Sequence, residues 1–456
     1  MNKNQQIYLA LPVFLQNLAV AIEGRQLYIQ RYGRFEKEYF NELMRTQFMN
    51  PDEMRELQIK RLRCVVNHAR ENVPYYRGQS NLYSEPESID DLSKYPVIEK
   101  RTVRDNQKAF YDPALPRSEL VIFRTSGTTG TPLEIRHNRR NIEYAFALLE
   151  RLRAWAGVSM KDRGATFGGR IICRPETDSP PFWRYNPSEN QMIFSSYHMS
   201  EKNLHHYARE LIRFQPVEIL GYPSSINTLA RFLKEHPEYE IRPKAVLTNS
   251  EPLYDFQREL MIDVFQCGVF DWYGSVEFIS FAGRCEKGNL HIASEFGILE
   301  ILDGNNKPCP VGVEGEIVCT GLMNTGTTFI RYKIGDRGIL SDKTCACGRT
   351  LPILAEVTGR TDDLIRTPEG RLIGRMDPVF KGVSGLSECQ IIQDNLDHII
   401  FKIVPAPGYD ENTRVELLKN ARLRLGNSIK IDIEEVSEIK RGPSGKFKAV
   451  ISKVVG

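Results

Sequence analysis

Five short segments carry the residue types that phosphoryl chemistry needs. The first is Phe123-Arg-Thr-Ser-Gly-Thr-Thr-Gly-Thr-Pro132, where hydroxyls interleave with glycines between two β-like runs. Small side chains let a backbone approach a phosphate closely, and N–H groups and hydroxyls then donate to its oxygens. It is not a Walker loop, since no Gly-Lys-Ser/Thr closes it and no helix follows directly. Trp272-Tyr-Gly-Ser-Val-Glu-Phe278 sets Glu277 three residues after Gly274. Arg331-Tyr-Lys-Ile-Gly-Asp-Arg337 sets Asp336 just after a strand and a glycine. Gly359-Arg-Thr-Asp-Asp363 follows, and Arg441-Gly-Pro-Ser-Gly-Lys-Phe-Lys448 puts Lys446 on a glycine-flexed loop near the end. Alone, each reads as a turn acid, a solvated pair or a surface lysine. Their order in one chain makes that reading improbable.

A second constellation suits a metal. Cys285 and His291 are followed, after about fifty residues of β-rich chain, by Cys345-x-Cys347 and Gly348. Three thiolates and an imidazole match a closed structural zinc shell, with the Cys-x-Cys-Gly run as a tight ligand hairpin. Unligated cysteine is the competing reading. Cys64, Cys173, Cys267, Cys309, Cys319 and Cys389 read as core or surface thiols, and His137, His198, His205 and His206 as satisfied or surface residues. Gly168-Gly169, the stretch PPFWRYNPSENQMIFSSYH and Gly221-Tyr222-Pro223-Ser224-Ser225 are candidates for an acyl pocket, with plain core as the competing reading.

The elements that must position these groups can be read from periodicity. Residues 35–80 carry apolar positions at three- and four-residue spacing, which predicts helices, and Pro74 ends that stretch. Beyond residue 120, β-rich runs (LVIFRTS, EIRHN, VEILGY, KAVLTNS, GVFDWYG) alternate with helical ones. That alternation predicts an α/β fold with substantially parallel sheets. Residues 290–342 are β-rich with turns, and Asp303-Gly304-Asn305-Asn306 suits a hairpin. The organisation expected is a large body at 1–359, with a helical region at 1–120, and a small α+β lid at 360–456.

Length and charge narrow the function. The 456 residues allow roughly three domains' worth of chain at ~150 residues each. Sixty-one Lys and Arg against 58 Asp and Glu leave +3, without the basic excess of a nucleic-acid binder. The N-terminal run MNKNQQIYLALPVFLQNLAVAIEG has no small-residue cleavage site, and Pro12, Gln16 and Asn17 interrupt it. It reads as an amphipathic segment docked on the body, with peripheral membrane contact as the minority reading. Nine cysteines without a secretion signal point to a reducing cytoplasm.

In motif content and order the chain resembles the adenylate-forming superfamily of acyl- and aryl-CoA synthetases, luciferases and nonribosomal-peptide adenylation domains. Within it the chain is most similar to the phenylacetate–CoA ligase group, in the branch associated with capsular-polysaccharide biosynthesis. LPVFLQNLA and LQIKRLRCVVNHARENVPYYR resemble that group's helical N-terminal region. The resemblance implies an α/β body of mixed and parallel sheets with a β-rich part and a small mobile C-terminal domain. It implies a phosphate loop at Thr125, Ser126, Gly127, Thr128, Thr129 and Gly130, and an adenine-side segment at Asn249, Ser250, Glu251 and Pro252. Tyr273, beside Gly274 and Ser275, would pack on adenine. Glu277 would help hold Mg²⁺, and Asp336 would take the ribose hydroxyls. Arg360 would lie near ribose and phosphate, Asp362 at the hinge, and Lys446 at the α-phosphate. The reaction implied joins a carboxylic acid to the AMP half of ATP, then transfers the acyl group to CoA or another acceptor such as an amine or hydroxyl. A non-catalytic scaffold is the remaining alternative. Leu133 stands where many superfamily members carry a lysine, a departure shared with the phenylacetate–CoA ligase group.

Overall fold

The structure, a computed structural model, describes residues 3–454 except 34, 125–132, 175, 361–364, 369–371, 374–375, 377–378, 381–382, 384, 427 and 442–446. Helices α1 (Lys3–Ala10) and α2 (Val13–Arg31) dock on the body. The Tyr8 hydroxyl donates to the Ile172 carbonyl at 3.1 Å, and Arg184 Nε donates to Gln16 Oε1 at 2.8 Å. The opposite side of these helices leaves Ile7, Phe14, Leu18 and Ile22 exposed. Among the described residues no helix is long and apolar enough to cross a membrane.

The predicted helices of residues 35–80 form as α3 (Glu36–Thr46), α4 (Pro51–Asn72) and α5 (Pro74–Arg77), and α6 (Lys100–Asp105) follows. The Asn50 side chain caps α4 by accepting from the Asp52 and Glu53 N–H groups, with Pro51 in the first turn. Val73, extended ahead of Pro74, ends it.

Strands β1 (Leu120–Arg124) and β2 (Glu134–Asn138) pair antiparallel as a separate ribbon, not within the parallel sheet. Too few residues join them for a parallel crossover, which takes a dozen or more. Helix α7 (Arg139–Trp155) then begins with the Asn138 side chain capping the Asn141 N–H. The main sheet starts with β3 (Gly164–Gly168), β4 (Trp183–Asn186) and β5 (Gln191–Ser195). It continues through α8 (Glu201–Phe214), β6 (Glu218–Gly221), α9 (Pro223–Glu235), β7 (Ala245–Thr248), α10 (Asp255–Phe265) and β8 (Gly268–Gly274). Strands β5, β3, β6, β7 and β8 lie side by side in parallel, with β4 antiparallel at the edge. β7 is buried at every position, as a central strand covered on both faces must be.

The sheet continues antiparallel through β9 (Phe281–Arg284), β10 (Leu290–Ile292), β11 (Gly297–Leu302), β12 (Gly315–Gly321), β13 (Tyr332–Ser341) and β14 (Ile353–Arg360). Its order from the edge is β11-β12-β13-β14-β10-β9-β8. The Asp303–Asn306 turn forms, with the Asn306 N–H on the Asp303 carbonyl at 3.0 Å. It closes only a bridge between Leu302 and Pro308 before β12 resumes.

Past β14 come β15 (Ile365–Arg366), β16 (Leu372–Ile373), β17 (Leu386–Asn395), β18 (His398–Pro405), α11 (Glu411–Leu425), β19 (Lys430–Glu435) and β20 (Val450–Ser452). The last four strands form a sheet ordered β19-β18-β17-β20. Leu417, Ala421 and Leu425 of α11 pack on Ile391, Ile399, Phe401 and Ile403 in a core of their own.

A buried ion pair ties the layers of the body. Arg151 of α7 meets Glu295, between β10 and β11, at 2.9 Å with both side chains almost fully enclosed, and Thr46 of α3 donates to the same carboxylate at 2.6 Å. Removing one partner strands the other charge, so Glu295→Ala should lower stability by about 3–5 kcal/mol, read from the denaturant midpoint. A loss below about 1 kcal/mol would show that the guanidinium finds water or a new partner.

Candidate active site

Strands β8 and β13 are four ladders apart in the sheet order, which is about 19 Å in a flat sheet. The Tyr273 hydroxyl at the end of β8 nevertheless donates to Asp336 Oδ2 on β13 at 2.8 Å. The antiparallel half must therefore curl until its two sides meet. Glu277, buried, comes to the same place, with the Tyr332 hydroxyl 3.4 Å from its Oε1. Asp336 pairs in register with Arg360 of β14. Burial, and then the Asp336 carboxylate, push the Tyr273 phenol well above its ordinary pKa, so it stays a donor. The Ser275 hydroxyl is buried here without a partner among the described residues.

His137 fixes the turn that carries Glu277. Its Nε2 lies 3.0 Å from the Val276 carbonyl, and its Nδ1 lies 3.0 Å from the Asn141 amide nitrogen. Burial lowers its pKa to about 4, so the neutral ring donates from Nε2 and accepts at Nδ1. This positioning residue, read from sequence as merely satisfied, ties β2 to the Gly274–Phe278 turn.

Other candidates fall in different places. Thr125, Ser126, Gly127, Thr128, Thr129, Gly130, Asp362 and Lys446 lie outside the described residues, and Arg360 is described by its backbone alone. Asn249 and Ser250 line a cavity beside Trp272, with Ser250 in the left-handed region at φ 68°. Glu251 turns instead to the junction with the small C-terminal unit. Its carboxylate accepts from the Ser224 N–H at 3.1 Å, the Ser224 hydroxyl at 3.2 Å and the Phe447 N–H at 2.5 Å. Burial raises its pKa while those donors oppose the rise. Arg231 bonds Ser387 across the same junction. Pro252 and Gly274 are exposed.

The cavity has a volume of about 530 Å³, within the range of small-molecule sites. Strand alternation explains its floor: Gly164, Thr166 and Gly168 of β3, Gln191 and Ile193 of β5, and Glu218 and Leu220 of β6 face it. Ala165, Phe167 and Ile219 point the other way into the core under α8 and α9. Gly164 and Gly168 leave open room where a Cβ would stand. Arg31 and Tyr32 at the end of α2, with Phe146, Leu149 and Arg153 of α7, complete the walls. Of the sequence candidates, Gly168, Gly169 and Tyr222 reach this wall, as do Glu189, Gln191 and Ile193 of the 180–198 stretch. Phe182 and Phe194 do not; they stack with Phe167 and Tyr207 in the core.

Cys285, His291, Cys345 and Cys347 converge, with all four ligand atoms within 4.8 Å of one another. The Cys285 and Cys345 sulfurs are 3.6 Å apart, too far for a bond of ~2.05 Å and near the edge of a tetrahedral thiolate shell. His291 Nδ1 lies 3.1 Å from the Leu351 carbonyl, which leaves Nε2 to face Cys347 Sγ at 3.3 Å. The Lys287 N–H and the Asn289 amide donate to the sulfurs of Cys285 and Cys345. The donor set fits a closed metal shell.

Architecture and sequence relationships agree. The fold is that of the adenylate-forming enzymes: 2-hydroxyisobutyryl-CoA ligase in its postadenylation state, in complex with R3-HIB-AMP, matches at TM-score 0.72 with 20% identity, covering 90% of this chain and 91% of that one. The same ligase in the thioesterification state matches at 0.55. Within that class the chain is a homologue of the phenylacetate–CoA ligase group and of CapK, as its motifs imply. Residues 365–453 match the CapK C-terminal domain family. Protein CapK of Staphylococcus aureus is 28% identical over 98% of this chain and 99% of its own length. Phenylacetate-coenzyme A ligase of Thermus thermophilus is 26% identical over 69% of this chain and 72% of its own.

The His137 geometry sets a pH dependence. Between its ordinary value of 6.5 and about 4, the unfolded chain binds a proton that the folded ring refuses. Stability therefore falls as pH drops through that window, by about 3 kcal/mol in all. His137→Gln, which keeps one donor and one acceptor, should flatten the slope of unfolding free energy against pH there. Equal slopes in the two proteins would contradict the assignment.

Proposed function

We propose that the chain activates a carboxylic acid with ATP, forming an acyl adenylate and releasing pyrophosphate, then passes the acyl group to CoA or another acceptor. The observation that carries this reading is the meeting of Tyr273, Asp336 and Glu277 near the cavity that Ser250 and Trp272 line. A carboxylate oxygen of the acid attacks the α-phosphorus, and the bond to the bridging oxygen breaks to release pyrophosphate. Two anions approach each other, so positive charge and fixed donors dominate the catalytic requirement.

Asp336 accepts from the ribose hydroxyls, held in place by the Tyr273 phenol, whose ring packs on adenine. The Thr125–Gly130 loop donates to the phosphates, and Ser275 adds a hydroxyl. Glu277 takes part in holding Mg²⁺, which when bound supplies positive charge at the phosphates. Lys446 brings a further charge to the α-phosphate and the acid, with Arg360 near the ribose and Asp362 as the hinge. Glu251, gripping the N–H of Phe447, the residue after Lys446, helps hold the small unit in register with the body. Kinship with phenylacetate–CoA ligases supports the reaction class and favours a thiol acceptor, while the CapK kinship leaves room for a polysaccharide-related acceptor. Free cysteines support a reducing, cytoplasmic setting.

The Cys285, His291, Cys345 and Cys347 set is assigned to structural zinc. All four positions are protein donors, so no open position remains for catalysis. Elemental analysis should find close to one zinc per chain, lost when Cys345 and Cys347 become serine. A metal-free protein of undiminished stability would overturn the assignment.

Pyrophosphate release measured across a panel of carboxylic acids, with and without CoA, tests the reaction. Release should require both ATP and an acid. Lys446→Ala should lower it by roughly 100-fold or more while ATP binding persists. Unchanged release in that variant would remove Lys446 from the chemistry.

A further inference from the structure

The cavity wall carries charges that acid activation does not use, and all but one are already partnered. Arg31 pairs with Glu189 at 2.9 Å. Arg153 pairs with Glu218 at 2.8 Å and with Glu150 at 2.5 Å. Asp162 accepts from the Ser159 N–H at 2.9 Å and the Ser159 hydroxyl at 3.3 Å. Arg170, on the same wall, has no hydrogen bond or ion pair to another of the described residues. Its side chain is exposed, and Gly168 and Gly169, which precede it, line the same space.

The surroundings of Arg170 favour an arriving anion. The neighbouring Arg31 guanidinium adds a second positive charge beside it, against the opposing Glu23 and Glu189 carboxylates. Glu189 is engaged by Arg31 and by the Asn186 amide at 3.3 Å. An arginine fork left without a partner binds a carboxylate or phosphate in two parallel hydrogen bonds.

Position sets where that anion must lie. Arg170 stands two residues past the end of β3, and the order β3-β6-β7-β8 separates β3 from β8 by three ladders. That is roughly 14 Å along the sheet from the strand that carries Trp272 and Tyr273, so Arg170 lies at the far side of the cavity from the place proposed for adenine.

We propose that the acid activated by this chain carries a second anionic group at the end remote from the reacting carboxylate, and that Arg170 seats it. This rests on the acid-activation reading and specifies its substrate class: a dicarboxylic acid or another acid with a negatively charged tail. A neutral apolar tail would bury against the guanidinium and leave it unpaired, which is unfavourable.

The test uses the full-length protein and matched acids differing only at the far end: hexanoate against adipate, octanoate against suberate, phenylacetate against 4-carboxyphenylacetate. The readout is the kcat/KM ratio for ATP-dependent pyrophosphate release within each pair. The diacid should win by roughly tenfold or more in at least one pair, as a charge-assisted hydrogen bond implies. Arg170→Gln should bring that ratio close to one, and Arg170→Lys should restore part of it. Turnover of the monoacids at ratios near one in the unmodified protein would overturn the second-anion proposal and leave acid activation standing. A preference that survives Arg170→Gln would assign the anion to another group and overturn the role of Arg170. Absence of release with every acid would overturn acid activation itself, and this proposal with it.

Discussion

The site depends on the curl of the antiparallel half of the large sheet. A phenol and a carboxylate on strands four ladders apart share a 2.8 Å hydrogen bond, which a flat sheet forbids. Register shifts between β12 and β13 and along the β13–β14 ladder supply local twist where the sheet must bend. Gly338, at one of those shifts, lies where a Cβ would stand 2.9 Å from the Glu356 carbonyl. A larger residue there would force the strands apart. The Cys–His cluster joins the β9–β10 hairpin to the connection between β13 and β14, so a bound metal would brace the same bend. Arg151 and Glu295 anchor the neighbouring β10–β11 connection to α7.

The parallel half contributes space instead of closure. Glycines at both ends of β3 keep its cavity-facing side low, while the alternate residues Ala165 and Phe167 hold the other side tightly in the core. Helices α2 and α7 cover the opening with ion pairs whose partners are far apart in sequence, such as Arg31 with Glu189. The result is a polar chamber beside the place where the curled half presents Tyr273, Asp336 and Glu277. Contacts of Glu251 with Phe447 and of Arg231 with Ser387 set the small unit against that body.

Much of this was legible in the residues. Motif order identified the superfamily, and Tyr273, Glu277 and Asp336 do converge. Ligand spacing alone grouped the Cys–His set, because soft donors in two short clusters have few other uses. The alternation of strands and helices beyond residue 120 gave the α/β class, but misplaced LVIFR and EIRHN, which pair only with each other. The short connection between them was countable in the sequence and already excluded a parallel crossover, but their apolar pattern alone does not carry that constraint. Strands β3 and β5 went unrecognised, since Gly-Ala-Thr-Phe-Gly offers breakers in place of a β-branched run. The orientation of Glu251 and the isolation of Arg170 depend on which distant residues fold nearby, and no local pattern encodes that.

The most direct test of the central claim is a crystal structure of the chain with ATP and magnesium. Adenine should lie against the Tyr273 ring, with the ribose hydroxyls on Asp336 and the phosphates directed toward the Thr125–Gly130 loop. Nucleotide bound elsewhere, with Asp336 held only by Tyr273, would contradict it.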